Sequence, residues 1–295
     1  MGLNAAEILV LTTLAIAGWR IAIECSSTWV EKRVRDTYGP FLVPDGDAAN
    51  ITLRVTVDPS AVPVDWNERS MTSEGILSRF DMPDICGRIN QVSWQASLAL
   101  KNEDSFPTLE YLVKRLCAYL ALREGGFLFH CAGLVVEGKA YLFTGQSGAG
   151  KSTVVTLSSR ALALNDELVI LRPIGESWWA YGTPFWNDEA VRREDQTADG
   201  PVAGIYILVQ DQHVFLEPVT AAIASSELAA NCPVVNADAL TIPRLLSRCR
   251  SLAETVNVQR LHFRKDPDFW HLLAPMADAG DSRNAVPQGN LAGRA

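Results

Sequence analysis

The run Gly145-Gln146-Ser147-Gly148-Ala149-Gly150-Lys151-Ser152-Thr153 sets a lysine and two hydroxyls directly behind a glycine-rich turn. It fits the pattern G-x-x-x-x-G-K-[ST] without a mismatch, and that spacing suits a nucleoside triphosphate. Small residues let successive backbone N–H groups turn inward and hold phosphate oxygens. Lys151 then reaches the β- and γ-phosphates, and the Ser152 hydroxyl can ligate Mg²⁺. The expected ligand is therefore a nucleoside triphosphate with Mg²⁺, held by the whole loop from Gly145 to Thr153.

A phosphate-binding loop alone does not choose between a switch, a motor and a kinase. The choice depends on the acid that holds the metal or activates the acceptor. Two candidates stand beside apolar runs. Asp211 ends Gly204-Ile-Tyr-Ile-Leu-Val-Gln210 in the manner of a Walker-B acid. It is followed by Gln212-His213 and then Val214-Phe-Leu216, so a hairpin turn is the favoured reading there. Asp166 lies in Leu162-Ala-Leu-Asn-Asp-Glu-Leu-Val-Ile-Leu171, between two strand-like segments. His130, which follows Phe127-Leu-Phe129, reads equally well as a hydrogen-bonded core residue and as a site group. Trp178-Trp179 and Trp186 read as packing, and Arg192-Arg193 as a solvated loop with phosphate or acceptor contact as the alternative.

Particular elements must position these groups. Lys139-Ala-Tyr-Leu-Phe-Thr144 reads as a strand running into the loop, and Ser152 to Arg160 as a helix leaving it, whose N-terminus would favour an anion. Short apolar strands are expected at Phe127–Phe129, Gly133–Val136, Leu168–Leu171, Gly204–Val209 and Val258–Phe263, with a helix over Ile242–Val256. Upstream, Ala15 to Ile23 reads as one strand with Ala15, Ala17, Trp19, Ile21 and Ile23 on one face. Ser27–Tyr38 reads as a helix stopped by Gly39-Pro40, Asn50–Val57 as a strand, and Ile89–Leu100 as a strand pair. Thr108–Leu122 has helical spacing with Thr108 as its N-cap. The expected organisation is a small α/β module over 1–105, a nucleotide domain over 106–275, and a disordered tail over 276–295.

The chain has 295 residues, 48% of them hydrophobic and 20% charged, which is ordinary for a soluble globular protein. Its formal net charge of −8 offers no basic stripe for nucleic acid. The six cysteines are scattered with no C-x-x-C pair, so reduced cytoplasmic thiols are expected rather than a zinc site or disulfide framework. The uncharged run Ile8–Trp19 is too short to span a bilayer, so no membrane segment is expected.

The stretch His130-Cys-Ala-Gly-Leu-Val-Val-Glu-Gly-Lys-Ala-Tyr-Leu-Phe-Thr-Gly-Gln-Ser-Gly-Ala-Gly-Lys-Ser-Thr153, followed by Asn165-Asp166, resembles the nucleotide domain of the HPr kinase/phosphorylase family. Tyr181-Gly-Thr-Pro184 and Val258–Pro267 resemble the smaller relatives often found beside peptide-modification genes. The similarity covers roughly residues 105 to 272, and its specific part is 130 to 171. It implies an α/β fold with a P-loop nucleotide domain like that of phosphoenolpyruvate carboxykinases. It also implies that Asp166 lies beside the γ-phosphate as base and metal ligand, with His130 near the same centre and Lys151 on the phosphates. Asn165 stands where bifunctional members carry the first Asp of a pair, and the Glu- and Gly-rich signature of phosphorolysis has no counterpart. The function so implied is transfer of the γ-phosphate of ATP to a hydroxyl, on Ser or Thr of a protein or peptide or on a small molecule. Assembly into a homo-oligomer is implied by the resemblance alone. An NTPase switch or motor using Asp211, and a non-catalytic nucleotide-binding scaffold, are the alternatives.

Overall fold

The computed structural model describes residues 9–59, 70–74, 77–82, 85–187, 189–192, 196–233 and 241–274. Arg193 and the expected tail over 276–295 lie outside them. The first half begins with β1 (Val10–Ile16) and β2 (Trp19–Cys25), α1 (Thr28–Tyr38), β3 (Leu42–Val43) and β4 (Ile51–Val57). It continues with β5 (Ser70–Glu74), β6 (Leu77–Met82), β7 (Ile85–Asn90) and β8 (Gln95–Leu100). Together they make one sheet in the order β3-β1-β2-β4-β8-β7-β6-β5.

The single strand expected over Ala15–Ile23 is instead a hairpin. The chain reverses at Ala17 and Gly18, with φ of 51° and 79°, and Ile16 pairs with Trp19. Two consecutive positive φ values match the twist of the flanking strands, which is why a two-residue turn closes here. The turn also changes the parity of the pattern. The core face is Leu14 and Ile16, then Trp19, Ile21 and Ile23, all buried, whereas Ala15 is on the opposite face. The strand over Ile51–Val57 and the helix α1 with Ser27 as its side-chain cap follow the expected pattern, whereas the pair expected over Ile89–Leu100 is β7/β8, which begins earlier, at Ile85.

Helix α2 (Phe106–Arg123) starts two residues before the expected cap at Thr108, since Pro107 is tolerated in the first turn, where its missing N–H is not needed. Ser105 holds the cap position, with its hydroxyl turned to Asn102. The helix is buried on most sides. Its Leu109, Leu112, Val113 and Leu116 join the core of the first sheet, and so do Leu128, Leu168 and Ile170 from beyond it. The first sheet's core thus runs past residue 105.

The second half supplies β9 (Phe127–His130), β10 (Ala132–Val136), β11 (Lys139–Thr144), α3 (Lys151–Leu157), β12 (Leu162–Asn165), β13 (Leu168–Ile174) and β14 (Ser177–Tyr181). It ends with β15 (Asp199–Gln210), β16 (Phe215–Pro218), α4 (Ala221–Ala230), α5 (Thr241–Thr255), β17 (Val258–Phe263) and α6 (Trp270–Leu273). These strands form a second sheet, β12-β10-β11-β15-β14-β13-β9, extended by β17 and β16. Strand β15 serves both arms: Asp199–Pro201 pair with β14, and Val202–Ile207 run parallel to β11. The hairpin expected after Asp211 does not form between β15 and β16. Strand β17 takes the edge of β15 in parallel, and β16 adds antiparallel outside it.

Helices cover both faces of this sheet. Val154 and Val155 of α3 pack with Phe143, Phe269 and Trp270 on one side; Leu228, Leu245 and Leu252 of α4 and α5 pack with Ile205 and Val258 on the other. The molecule is therefore mixed α/β with two sheets. Cys25, Cys117, Cys131, Cys232 and Cys249 are free thiols. Among the described residues no helix is long and apolar enough to cross a membrane.

Candidate functional site

Strand β11 is buried from Ala140 to Thr144 and delivers the chain to the loop at the C-terminal edge of the sheet. Three loop glycines have left-handed backbone, with φ of 155° at Gly145, 79° at Gly148 and 112° at Gly150. At Gly150 a Cβ would come within 2.7 Å of the Phe263 ring, so both backbone and space require glycine. The loop closes on itself through Ala149 N–H to the Gln146 carbonyl at 3.0 Å. The N–H groups of Gly148 and Gly150 have no acceptor among the described residues. They are the donors an anion would need.

Ser147, Gly148, Gly150, Lys151, Ser152 and Thr153 line an open cleft of about 390 Å³. Gly145, Gln146 and Ala149 do not line it. Lys151 donates from Nζ to the Gly145 carbonyl at 3.0 Å, so its ammonium lies over the loop. Burial lowers the pKa of Lys151, while the charges of Cys131, Glu167 and Asp166 act the other way.

The far wall comes from the β12–β13 turn. Asp166 is 2% exposed, yet its carboxylate opens on the cleft. Its Oδ2 accepts from the Ser152 hydroxyl at 3.0 Å, and its Oδ1 from the Asn187 N–H at 3.1 Å. The loop hydroxyl and the acid expected to share a metal are thus in direct contact. Asn165 is a structural residue of this turn. It is fully buried, its Oδ1 accepts from Glu167 N and Leu168 N at 2.7 and 2.8 Å, and its Nδ2 donates to the Thr183 carbonyl at 3.0 Å. An Asx turn of this kind folds the backbone so that two consecutive acids face one cleft.

Glu167 is the acid that the motif did not single out. Nothing in spacing marks it, because neighbours on a regular strand would point apart. It lines the cleft beside Asp166, and burial raises its pKa, with Asp166 adding to the effect and Lys114 and Lys151 opposing it.

His130 closes the rim at the end of β9. Its N–H donates to the Asn231 carbonyl at 2.8 Å, and its carbonyl accepts from the Thr144 hydroxyl at 3.0 Å, so the backbone is clamped while the ring faces the cleft. Burial lowers its pKa below 6.5, Lys151 lowers it further, and Asp166 partly offsets both. The neutral imidazole is therefore the favoured form.

The remaining candidates separate. Asp211 does not line this cleft; its carboxylate holds His262 Nδ1 at 3.0 Å and the His213 N–H at 3.0 Å. Trp178 and Trp186 are buried packing, and Arg192 donates to the Thr37 carbonyl at 2.9 Å. Of the loop between Tyr181 and Gly200, Asn187 reaches the cleft. Among the described residues, none from the first 105 lines it.

The donor set suits a hard divalent ion. Mg²⁺ takes one or two protein oxygens and fills its other positions with phosphate and water, and the Ser152 hydroxyl beside the Asp166 carboxylate offers that pair. No protein-family model matches this chain, and no curated protein matches it.

Proposed function

We propose that this protein is an ATP- and Mg²⁺-dependent phosphotransferase that moves the γ-phosphoryl group to a hydroxyl. The observation that carries the reading is the 3.0 Å contact between Ser152 and Asp166 at a cleft that also presents Lys151 and His130. Loop N–H groups and Lys151 bind the phosphates. Ser152 and Asp166 would hold Mg²⁺, which would supply charge neutralisation to the phosphates. The acceptor enters from the open side. Its oxygen forms a bond to the γ-phosphorus as the bond to the β,γ-bridging oxygen breaks, and ADP leaves. Asp166 orients the hydroxyl, and its proton passes to Asp166 or to the neutral imidazole of His130. A loose transition state needs alignment more than a strong base, so these weakly basic groups suffice.

This architecture is consistent with a P-loop nucleotide domain of the phosphoenolpyruvate carboxykinase type. The switch or motor reading needs Asp211 at the metal, and its bonds to His262 and His213 turn it elsewhere. The decisive experiment follows label from γ-³²P-ATP into a hydroxyl acceptor, with Asp166→Asn as the comparison. We expect the variant to lose about 10²-fold or more in turnover at saturating ATP, the scale of a positioned acid–base group. Label released only as free phosphate, or an equal loss in Asp211→Asn, would move the reading to an ATPase.

A further inference from the structure

The cleft continues beyond Thr153. A second hollow of about 210 Å³ opens on the other side of the loop and shares Gly150 and Thr153 with the first. Its remaining walls are the end of β15, with Gln210 and Asp211, and the chain leaving β17, with Phe263, Arg264 and Lys265. We infer that this hollow is the nucleoside subsite, taking the sugar and base of the nucleotide whose phosphates lie on the loop. The inference rests on the nucleotide-binding reading above.

Three features support it. The first is continuity: a ligand gripped at Lys151 must pass over Thr153, whose hydroxyl makes no hydrogen bond among the described residues. The second is rigidity. Gln210 donates from Nε2 to the Gly148 carbonyl at 2.7 Å, and the Phe263 ring packs against Gly150, so hollow and loop are held as one unit.

The third is chemical complementarity. Phe263, 3% exposed, gives an apolar floor. Asp211 accepts from His262 on Oδ2 and from the His213 N–H on Oδ1, with the Gln212 backbone N–H and, at 3.7 Å, the His213 ring also beside it; a carboxylate has about four acceptor sites to share among these and a ligand. The hydrogen bonds from His213 and then His262 also lower its pKa, so it stays a carboxylate. At its own end of the wall the Asp211 carboxylate favours a neutral donor, which a ribose hydroxyl is, over a phosphate oxygen. This fixes the polarity of the ligand: phosphates toward Lys151, sugar toward Asp211. Lys265 is exposed with no ion-pair partner among the described residues, and Arg264 is tied to Asp268, so both cations flank the base without closing the hollow. A site for an inorganic phosphate donor would need neither the apolar floor nor the carboxylate.

Calorimetric titration of the whole protein with ATP, 2′,3′-dideoxy-ATP and inorganic tripolyphosphate, each with Mg²⁺, tests this. ATP is expected to bind about tenfold or more tightly than either analogue, the scale of hydrogen bonds to a charged group. In Asp211→Ala the ATP affinity should fall by about tenfold while tripolyphosphate binds as well or better, because a repelling anion is gone. Equal binding of all three ligands to the unaltered protein overturns the subsite and leaves the phosphate site standing. So does an Asp211→Ala protein that keeps its ATP preference. If none of the three binds, nucleotide binding falls and the subsite with it. The dideoxy comparison uses the unaltered protein, so it decides the matter even if the variant does not fold.

Discussion

Lys151, Asp166 and His130 make separable contributions. In the proposed reaction Lys151 would supply a charge-assisted contact to phosphate oxygens, so Lys151→Ala is expected to weaken ATP·Mg binding at least about tenfold and to abolish transfer. Calorimetry of both proteins measures it, and equal affinity would remove the loop from the site. His130 gives a pH signature. Its pKa is depressed by burial and then by Lys151, so it is neutral, and able to accept a proton, above that lowered value. Activity is therefore expected to fall on acidification through a pH below 6.5, as the ring gains its proton. The His130→Gln variant should lose that acid limb while still binding ATP. A limb that persists unchanged would assign it to another group.

The β12–β13 turn decides where two acids point. Asn165 stands where the family that the sequence resembles carries an acid, and the structure gives it a folding role: its side chain satisfies two backbone N–H groups and one carbonyl while fully buried. Asn165→Ala strands these groups, at about 1–3 kcal/mol for each one left unsatisfied in the interior. We expect a clear drop in the thermal midpoint, together with loss of turnover, because Asp166 and Glu167 lose the turn that aims them. A variant with unchanged stability would show the turn to be held by other bonds.

At the scale of the molecule, the two sheets meet where Arg172 of β13 reaches across to the first hairpin. It donates to the Ala17 carbonyl, pairs with Glu124, and places its guanidinium 4.7 Å from the centre of the Trp19 ring. Arg172 is 17% exposed, so these contacts are shielded from water more than a surface pair is. Arg172→Ala should cost about 2 kcal/mol or more, from lost charged hydrogen bonds and the cation–ring contact, and urea unfolding would show it. A change within about 0.5 kcal/mol, the range of ordinary surface substitutions, would mean that the apolar core shared by α2, Leu128, Leu168 and Ile170 joins the halves without it.

The sequence by itself determined the loop, because G-x-x-x-x-G-K-S is a local solution: its glycines, lysine and hydroxyls are adjacent in the chain. It determined most strands and helices of the second half for the same reason, through apolar runs of the right length. Parity across a turn was less legible, since the residues from Ala15 to Ile23 alternate smoothly through a reversal that only paired strands reveal. The partners of the loop were decided by tertiary structure. Asp166 reaches Ser152 across 14 residues, and His130 reaches the same cleft from another strand. Glu167 faces them only because the buried amide of Asn165 bends the backbone there. Likewise Asp211, which ends an apolar strand just as a metal-binding acid would, was turned aside when β17 inserted next to β15 and brought His262 within 3.0 Å. Backbone pattern is written in nearest neighbours; which acid meets the loop depends on strand order, and strand order depends on the cores of both sheets closing together.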